Sequence, residues 1–483
     1  MRGRLLLCLP FALAAGCATP PAPEGQPLPR FLVDPVAVTP PAPTPAELHP
    51  IPVNDRPVVT LADAVRECVL SNLRLQAGAE RVRQAQADFV SDSLIPNSQL
   101  LLQAQLLPIS AENSFNQAGP PQYDALVTVP VDWFVFGKRV AAQAAAQLNV
   151  DVAQADQADL LRREIAQTVD LFYDAVEADV AVKLAQQDIQ ALEALERAAA
   201  ERGRGDNKSV IESRRVRLAI LDAQRELRKR RGLVETTLAK LQVRMGRPPD
   251  TPDFVVRGTL AVKATAPALT VGQAWALAER HRPDLISARR AVAATDAALE
   301  RERTRAYPQM AITSGVDYQD QSRITGFRNA WLWTVAVQTT LPFTDRNQGK
   351  ILAAEAAARA ARASVGVTTA DDRAEVEQAV AEYNEALAGV SGEDAASLET
   401  AREVREATLA AYKKGDKDLV DALDAERAYR DRVRNTLGNL TDYWQALNKL
   451  NAAVGVRALT AQEAAKDTLL EEATPKDPAP PPK

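Results

Sequence analysis

Asp421 and Asp424 lie three residues apart in a stretch of helical pattern, so on a helix their carboxylates share one face. Tyr412, Gly415 and Lys417 precede them across a glycine turn, and Lys417 stands four residues before Asp421, the spacing of an ordinary helical ion pair. A row of carboxylates attracts cations and resists being pressed together. By spacing alone the same residues fit a solvated acidic face equally well. Bond-making chemistry has little to stand on. The chain contains no G-x-S-x-G elbow, no H-E-x-x-H, no G-x-x-x-x-G-K phosphate loop and no cysteine in a common nucleophile arrangement, so we expect no enzyme. Its histidines are His49 and His281 and its methionines Met1, Met245 and Met310, which form no cluster suited to a metal; no cofactor is expected.

The elements that position these acids are long. From Gly137 to Arg202 about 66 residues run without proline and rich in alanine, which as one helix extend about 100 Å. Gly349 to Lys414 has the same length. Within it Val376, Val380, Tyr383, Leu387 and Val390 step by four and three, a heptad-like seam that favours left-handed supercoiling. Flanking helices are predicted at about 60–95, 210–246, 270–306 and 419–455. Ser209-Val-Ile-Glu212 fits a capping box, Asp418 can cap the last helix, and Gly205 and Gly415 end the long ones, so tight exposed hairpin tips are expected.

Landmark residues recur about 210 places apart. Thr60 answers to Thr270, Leu75 to Leu285, Pro96 to Pro308, Pro130 to Pro342, Gly137 to Gly349, Tyr173 to Tyr383, Gly205 to Gly415 and Gly246 to Gly455. One plan, helix, strand pair, very long helix, turn, helix, is therefore read as a tandem duplication. The expected repeats span 58–250, with strands about 98–109 and 122–132, and 269–457, with strands about 309–320 and 329–342; 251–268 is a linker.

The strand segments alternate with period two. Trp331, Trp333, Val335, Val337 and Leu341 face one way, and Leu332, Thr334, Ala336, Gln338 and Thr340 the other. In the partner segment Met310, Ile312, Val316 and Tyr318 oppose Gln309, Thr313, Asp317 and Gln319. The first copy repeats this more weakly: Leu100, Leu102, Ala104 and Leu106 against Gln99, Gln103 and Gln105, then Tyr123, Ala125, Val127, Val129 and Val131 against Asp124, Thr128 and Asp132. Strands of about ten residues with an apolar outside, a polar inside and aromatics near one end suit an outer-membrane barrel, although a half-buried soluble sheet alternates in the same way. Four strands cannot close a barrel, so two or three copies must share one.

The ends carry separate information. Residues 1–16 read as an export signal, its apolar stretch too short to span a bilayer. Leu13-Ala14-Ala15-Gly16-Cys17 resembles a bacterial lipobox, which makes Cys17 the candidate lipid anchor; the alternative is plain cleavage by the general signal peptidase. With the signal removed only Cys17 and Cys68 remain, so no disulfide framework exists. Residues 17–57 are proline-rich and read as a leash, and 458–483 as a disordered tail. Net charge is −5, no Lys/Arg block reads as a nucleic-acid footprint, and no apolar segment of eighteen residues follows the signal, so membrane entry must be by strands.

From about residue 58 to 457 the chain resembles the TolC-type outer membrane efflux protein family. The marks are the repeat, the opening Thr60-Leu61-Ala62-Asp63-Ala64, the proline before each hairpin and the glycine turn of each copy; the lipobox places it beside the lipoprotein branch. The resemblance implies a mostly α protomer with membrane β, forming a homotrimer with a 12-strand outer-membrane β-barrel continued by a 12-helix periplasmic α-barrel. It also implies lipid anchoring in the outer membrane, docking to a periplasmic membrane fusion adaptor and an inner-membrane pump, and passive export from periplasm to outside.

Tyr412, Lys417, Asp421 and Asp424 resemble the family's periplasmic gate, which in a trimer sets six carboxylates around the axis. Gly205, Asp206, Ser209, Gly415, Asp416 and Leu419 are then the adaptor-contact tips, and Trp331 and Trp333 the membrane girdle. One departure is Val210 and Ile211, which stand where a polar pair could bond to the tyrosine and the basic residue. Leu341-Pro342-Phe343-Thr344-Asp345-Arg346-Asn347-Gln348-Gly349 resembles the strand-to-helix junction of the cobalt-zinc-cadmium and copper-silver export branch, a motif also scattered among other branches; drugs, other organic solutes and polypeptides stay open as cargo. The rival reading is a periplasmic coiled-coil lipoprotein scaffold without channel activity, which has no use for apolar strand faces.

Overall fold

The computed structural model describes residues 56–105, 120–202, 207–251, 253–262, 268–322, 326–390 and 392–456. The expected signal peptide, Cys17 and nearly all of its leash, Gly205, Asp206 and the expected tail lie outside them. In chain order the elements are β1 (Val58–Val59), α1 (Leu61–Ser71), α2 (Leu73–Ser93), β2 (Gln99–Gln105), β3 (Gln122–Pro130), α3 (Asp132–Val135), α4 (Lys138–Arg202) and α5 (Asn207–Arg244). Then follow β4 (Val255–Val256), α6 (Val271–His281), α7 (Pro283–Arg305), β5 (Met310–Gln319), β6 (Ala330–Thr339), α8 (Gln348–Gly389), α9 (Gly392–Lys414) and α10 (Leu419–Val454). The order from α1 to α5 recurs from α6 to α10.

Two compact units result. One holds Val82–Asp151 and Arg290–Ala361, including an antiparallel sheet in the order β2-β3-β5-β6. Its central pairing, Tyr123 opposite Tyr318 and Val127 opposite Ser314, joins segments about 190 residues apart in the chain. Gly315 makes that approach possible, since a Cβ there would fall 2.1 Å from the Ala125 carbonyl oxygen.

The other unit holds the described residues up to Arg81, Val152–Arg289 and those from Arg362 on. It is helical apart from the parallel pair β1–β4. Its cores follow the heptad seams. Val376, Val380 and Tyr383 of α8 pack with Tyr443, Ala446 and Leu450 of α10, and Phe172, Tyr173 and Val176 of α4 pack with Leu241 of α5 and with Met245 just after it. Tyr173 stacks on Trp444 with ring centroids 5.6 Å apart.

Several expected helices differ. α4 is one helix of 65 residues, but its counterpart is interrupted after Gly389, where Gly389 and Gly392 weaken helical preference. The helices expected at 60–95 and 270–306 each break once, at Asn72 and at Arg282, which both adopt extended backbone. Pro283 disfavours helical geometry at Arg282. Asn72 breaks by a different device: its side-chain oxygen accepts from the Arg74 N–H at 2.8 Å and restarts the helix. Both broken pairs open with a full capping box, Thr60 with Asp63 and Thr270 with Gln273. The box expected at Ser209 is not at a helix start, because α5 begins at Asn207. Asp418 does stand at the N-cap position of α10, without a side-chain capping bond.

Each break is held by a glycine. Gly246, after α5, has φ of 72° and approaches Ser71 so closely that a Cβ would lie 2.1 Å from its carbonyl oxygen; Gly455, after α10, has φ of 79° and lies against Arg282, at 3.1 Å. This is the physical content of the Gly246 and Gly455 landmarks.

Candidate functional site

Strand pairing sorts the sheet into two faces. On one, Ala104, Tyr123, Tyr318 and Trp331 form a row across all four strands, followed by Leu102, Ala125, Val316 and Trp333, then Leu100, Val127, Ser314 and Val335. Trp331 and Trp333 are 72% and 75% exposed, so this apolar face has no cover within the protomer. The other face carries Gln105, Gln122 and Gln319 in one row, Gln103, Asp124 and Asp317 in the next, Leu101, Leu126 and Gly315 in a third, and Gln99, Thr128 and Thr313 in a fourth. Asp124 and Asp317 sit directly opposite each other. Asp124 accepts from Gln122 at 2.8 Å and from Gln105, Asp317 accepts from Thr334, and the Thr128 and Thr313 hydroxyls meet at 2.8 Å. The strands β2 and β6 each pair on one side alone.

A second aromatic group, missed in the sequence, marks the helical end of the sheet. Phe136 stacks on Tyr307 at 5.3 Å, Trp133 donates to the Pro130 carbonyl at 2.9 Å, and Phe134 and Phe343 are exposed. Lys138 ties this end together, donating to Asp132 at 2.9 Å and to the Pro308 carbonyl at 3.0 Å. The run Trp133-Phe134-Val135-Phe136 was the available signal. The ten residues of β5 that separate the two aromatic ends correspond to about 30 Å of strand, or about 25 Å of height at the tilt of a barrel.

At the tip, Gly415 turns the chain with φ of 97°, and its N–H donates to the Ala411 and Tyr412 carbonyls at 3.1 Å. Tyr412 is buried, its hydroxyl 3.5 Å from the Glu212 carboxylate of α5. Glu212 thus supplies the polar partner that Val210 and Ile211 could not. Asp421 and Asp424 are exposed, Asp421 with Lys417 at 3.7 Å and Asp424 with Arg427 at 3.5 Å. Such exposed helical pairs are weak and leave both carboxylates accessible. Leu419 needs correction as a contact residue: it is 1% exposed, packed with Tyr412, Val216, Ile220 and Leu192, because the turn folds it inward. Asp416 remains exposed; Ser209 lies inside the first turn of α5.

The two helix breaks hold buried charge. The Arg282 guanidinium donates to Asp284 at 2.7 Å, Asp372 at 2.8 Å, Glu375 at 2.7 Å and the Ala453 carbonyl at 2.8 Å. Arg162 joins Asp159, Asp284 and the Ala452 carbonyl. Burial works to raise the Asp284 carboxyl, but Arg282 and Arg162 hold it below its ordinary value. For Asp372 burial wins: Arg282 offsets only part of it, Asp284 and Glu375 add to it, and the carboxyl is pushed up to about 6. At the other break Asn72 donates to Glu164 at 2.9 Å and to the Arg244 carbonyl at 3.0 Å. Burial works to raise Glu164 too, but Arg244 and Asn72 hold it low.

Asp372 gives a pH signature. Its folded pKa lies above the ordinary value of 3.8, so folding favours the protonated form; that contribution is complete below about pH 4 and is lost as pH rises through 6. Asp372→Asn should therefore melt with the wild type at pH 4 and gain up to about 3 kcal/mol on it by pH 7.5. A difference independent of pH rules this out.

Among the described residues no group of three or more His, Cys, Asp or Glu side chains could hold a metal ion, and no helix is long and apolar enough to cross a membrane. Residues 275–456 match the family model described as "Outer membrane efflux protein". The cobalt-zinc-cadmium resistance protein CzcC of Cupriavidus metallidurans is 24% identical over 402 residues, covering 82% of this chain and 90% of the relative. Among solved structures, the outer-membrane channel OprN is similar with a TM-score of 0.68 at 19% identity, over 82% of this chain and 90% of that one. The Campylobacter jejuni outer membrane channel CmeC is similar with a TM-score of 0.68 at 16% identity, over 85% and 89%.

Proposed function

We propose that this chain, whose residues 275–456 match the outer membrane efflux protein model, is the outer-membrane conduit of a tripartite export system, passive in itself and anchored through Cys17. The observation that carries this reading is the sheet with one apolar face, one polar face and two unpaired edges, β2 and β6. All four strands alternate in direction, so β6 of one copy can pair antiparallel with β2 of the next. Three copies close twelve strands, within the range of membrane barrels, and put the Asp124 and Asp317 rows on the lumen and the tryptophans on the lipid. The repeats 58–250 and 269–457 then serve as two halves of each third of the wall. A coiled-coil scaffold leaves the exposed tryptophan face without a purpose.

The periplasmic end is the tip at Gly415, where an adaptor linked to an inner-membrane pump opens the passage past Asp421 and Asp424. Divalent metal cations are the cargo class we favour. Support comes from the name of CzcC and from carboxylates on both the strand face and the tip. Choice among metals falls to the pump.

Purified protein in planar bilayers should run as a trimer and conduct. Replacing Asp421 and Asp424 together by alanine should change single-channel conductance and weaken block by multivalent cations. Unchanged conductance and block remove these residues from the gate, and a non-conducting monomer removes the conduit.

A further inference from the structure

Pro130 and Pro342 each mark the passage from a strand to a long helix, and each is followed eight residues later by a lysine. The two lysines meet different surroundings. Lys138 is partly buried and paired with Asp132 at 2.9 Å. At the second passage Thr344 takes the place of Asp132, and Lys350 is exposed and forms no ion pair among the described residues. Arg346 is exposed as well, its Nε donating to the Pro342 carbonyl at 3.2 Å and no carboxylate pairing with it. The turn that carries both is braced: Gln348 accepts from the Arg346 N–H at 2.7 Å and donates to the Thr344 carbonyl at 3.1 Å, while Asn347 donates to the Glu302 carbonyl and carboxylate at 2.8 and 3.0 Å. Its own acid, Asp345, accepts from the Asn347 N–H at 2.9 Å. Arg301 and Arg305 share Glu302 at 3.5 and 2.7 Å, so the turn and its Glu302 partner gather four cations against two acids. Leu341 and Phe343, 65% and 75% exposed, carry the apolar face of β6 past Thr339, its last paired residue, to the edge of these charges. Apolar side chains beside free cations match the two halves of a phospholipid at a membrane surface.

We propose that the turn between β6 and α8 binds an acidic phospholipid of the periplasmic leaflet, its phosphate on Arg346 and Lys350 and the start of its acyl chains on Leu341 and Phe343. That the sheet lies in a membrane rests on the conduit reading; which turn takes an anionic head group, and through which residues, does not. The planar fork of arginine and the compact ammonium of lysine both suit a phosphate. The turn after Pro130 lacks this pair of free cations. There Asp132 neutralises Lys138, Phe134 stands in the place of Arg346, and Arg139 is turned onto the Trp133 ring and the Ser93 carbonyl. Each protomer therefore carries one such site.

The test exchanges the purified full chain into vesicles holding equal phosphatidylglycerol and phosphatidylethanolamine, and native mass spectrometry counts the lipid that stays with the protein. Phosphatidylglycerol should be retained about fivefold or more over phosphatidylethanolamine. Arg346→Gln with Lys350→Gln should remove that preference and leave oligomeric state and conductance unchanged, whereas Arg346→Lys with Lys350→Arg should keep it. Equal retention of the two lipids by the wild type, or a preference that survives in the double glutamine variant, overturns the proposal. So does displacement of the lipid by soluble glycerol phosphate, which makes the turn a site for free phosphate, or a glutamine variant that falls apart into monomers, which makes it a contact between copies. A wild-type protein that prefers phosphatidylglycerol but does not conduct supports the lipid site and fails the conduit alone.

Discussion

Arg282→Met should destabilise the protein by about 3–5 kcal/mol, the range seen when one partner of a buried ion pair is removed. The guanidinium is 2% exposed and serves Asp284, Asp372 and Glu375 at once, with Arg162 reaching Asp284 from α4. Methionine fills the volume but leaves Asp372 and Glu375 without the cation they share and Asp284 with Arg162 alone. It also strands the Ala453 carbonyl at the end of α10. Arg282→Lys is a sharper test. It keeps the charge, but a single ammonium cannot reproduce the planar fork that holds Asp284 by two nitrogens while reaching Asp372 and Ala453. Lysine should recover only part of the loss. Thermal melting of the solubilised protein measures both, and a methionine variant that melts with the wild type would mean that the cluster contributes nothing.

Gly246→Ala should cost about 3 kcal/mol or more. An L-residue at φ of 72° costs about 1–2 kcal/mol by itself, and the added methyl would lie 2.1 Å from the Ser71 carbonyl oxygen, which is backbone and cannot swing aside. Relief requires moving the break at Asn72, and with it the bonds from Asn72 to Glu164 and to the Arg244 carbonyl. Gly455→Ala should be milder, because its nearest neighbours, at Arg282, are 3.1 Å away. Gly438→Ala is the control: nothing lies within 4 Å and the residue is mid-helix, so it should gain about 0.5–1 kcal/mol. Equal effects at 246 and 438 would sink the steric argument.

Much of the site was legible because it is periodic. The alternation along 309–320 and 329–342 assigns each strand residue to a face without knowledge of its neighbours, since successive side chains point oppositely. The step of four and three from Val376 to Val390 finds a helical seam in the same way. Reading failed where a local sign has two meanings. Leu419 follows a glycine turn, which suggests surface, yet it is folded under Tyr412. Pro283 signals a break, but the helical pattern on either side concealed it.

The sequence by itself determined periods and turns: which stretches are strand or helix, and that Gly415 turns the chain. These are properties of neighbouring residues. Only the tertiary structure decided that β3 pairs with β5, that Glu212 meets Tyr412, and that Arg282 gathers acids from α7 and α8 while Arg162 reaches in from α4. Apart from Arg282 and Asp284, such pairs are separated by 90 to 200 residues, and their energies depend on how completely water is excluded around them, which no local pattern records.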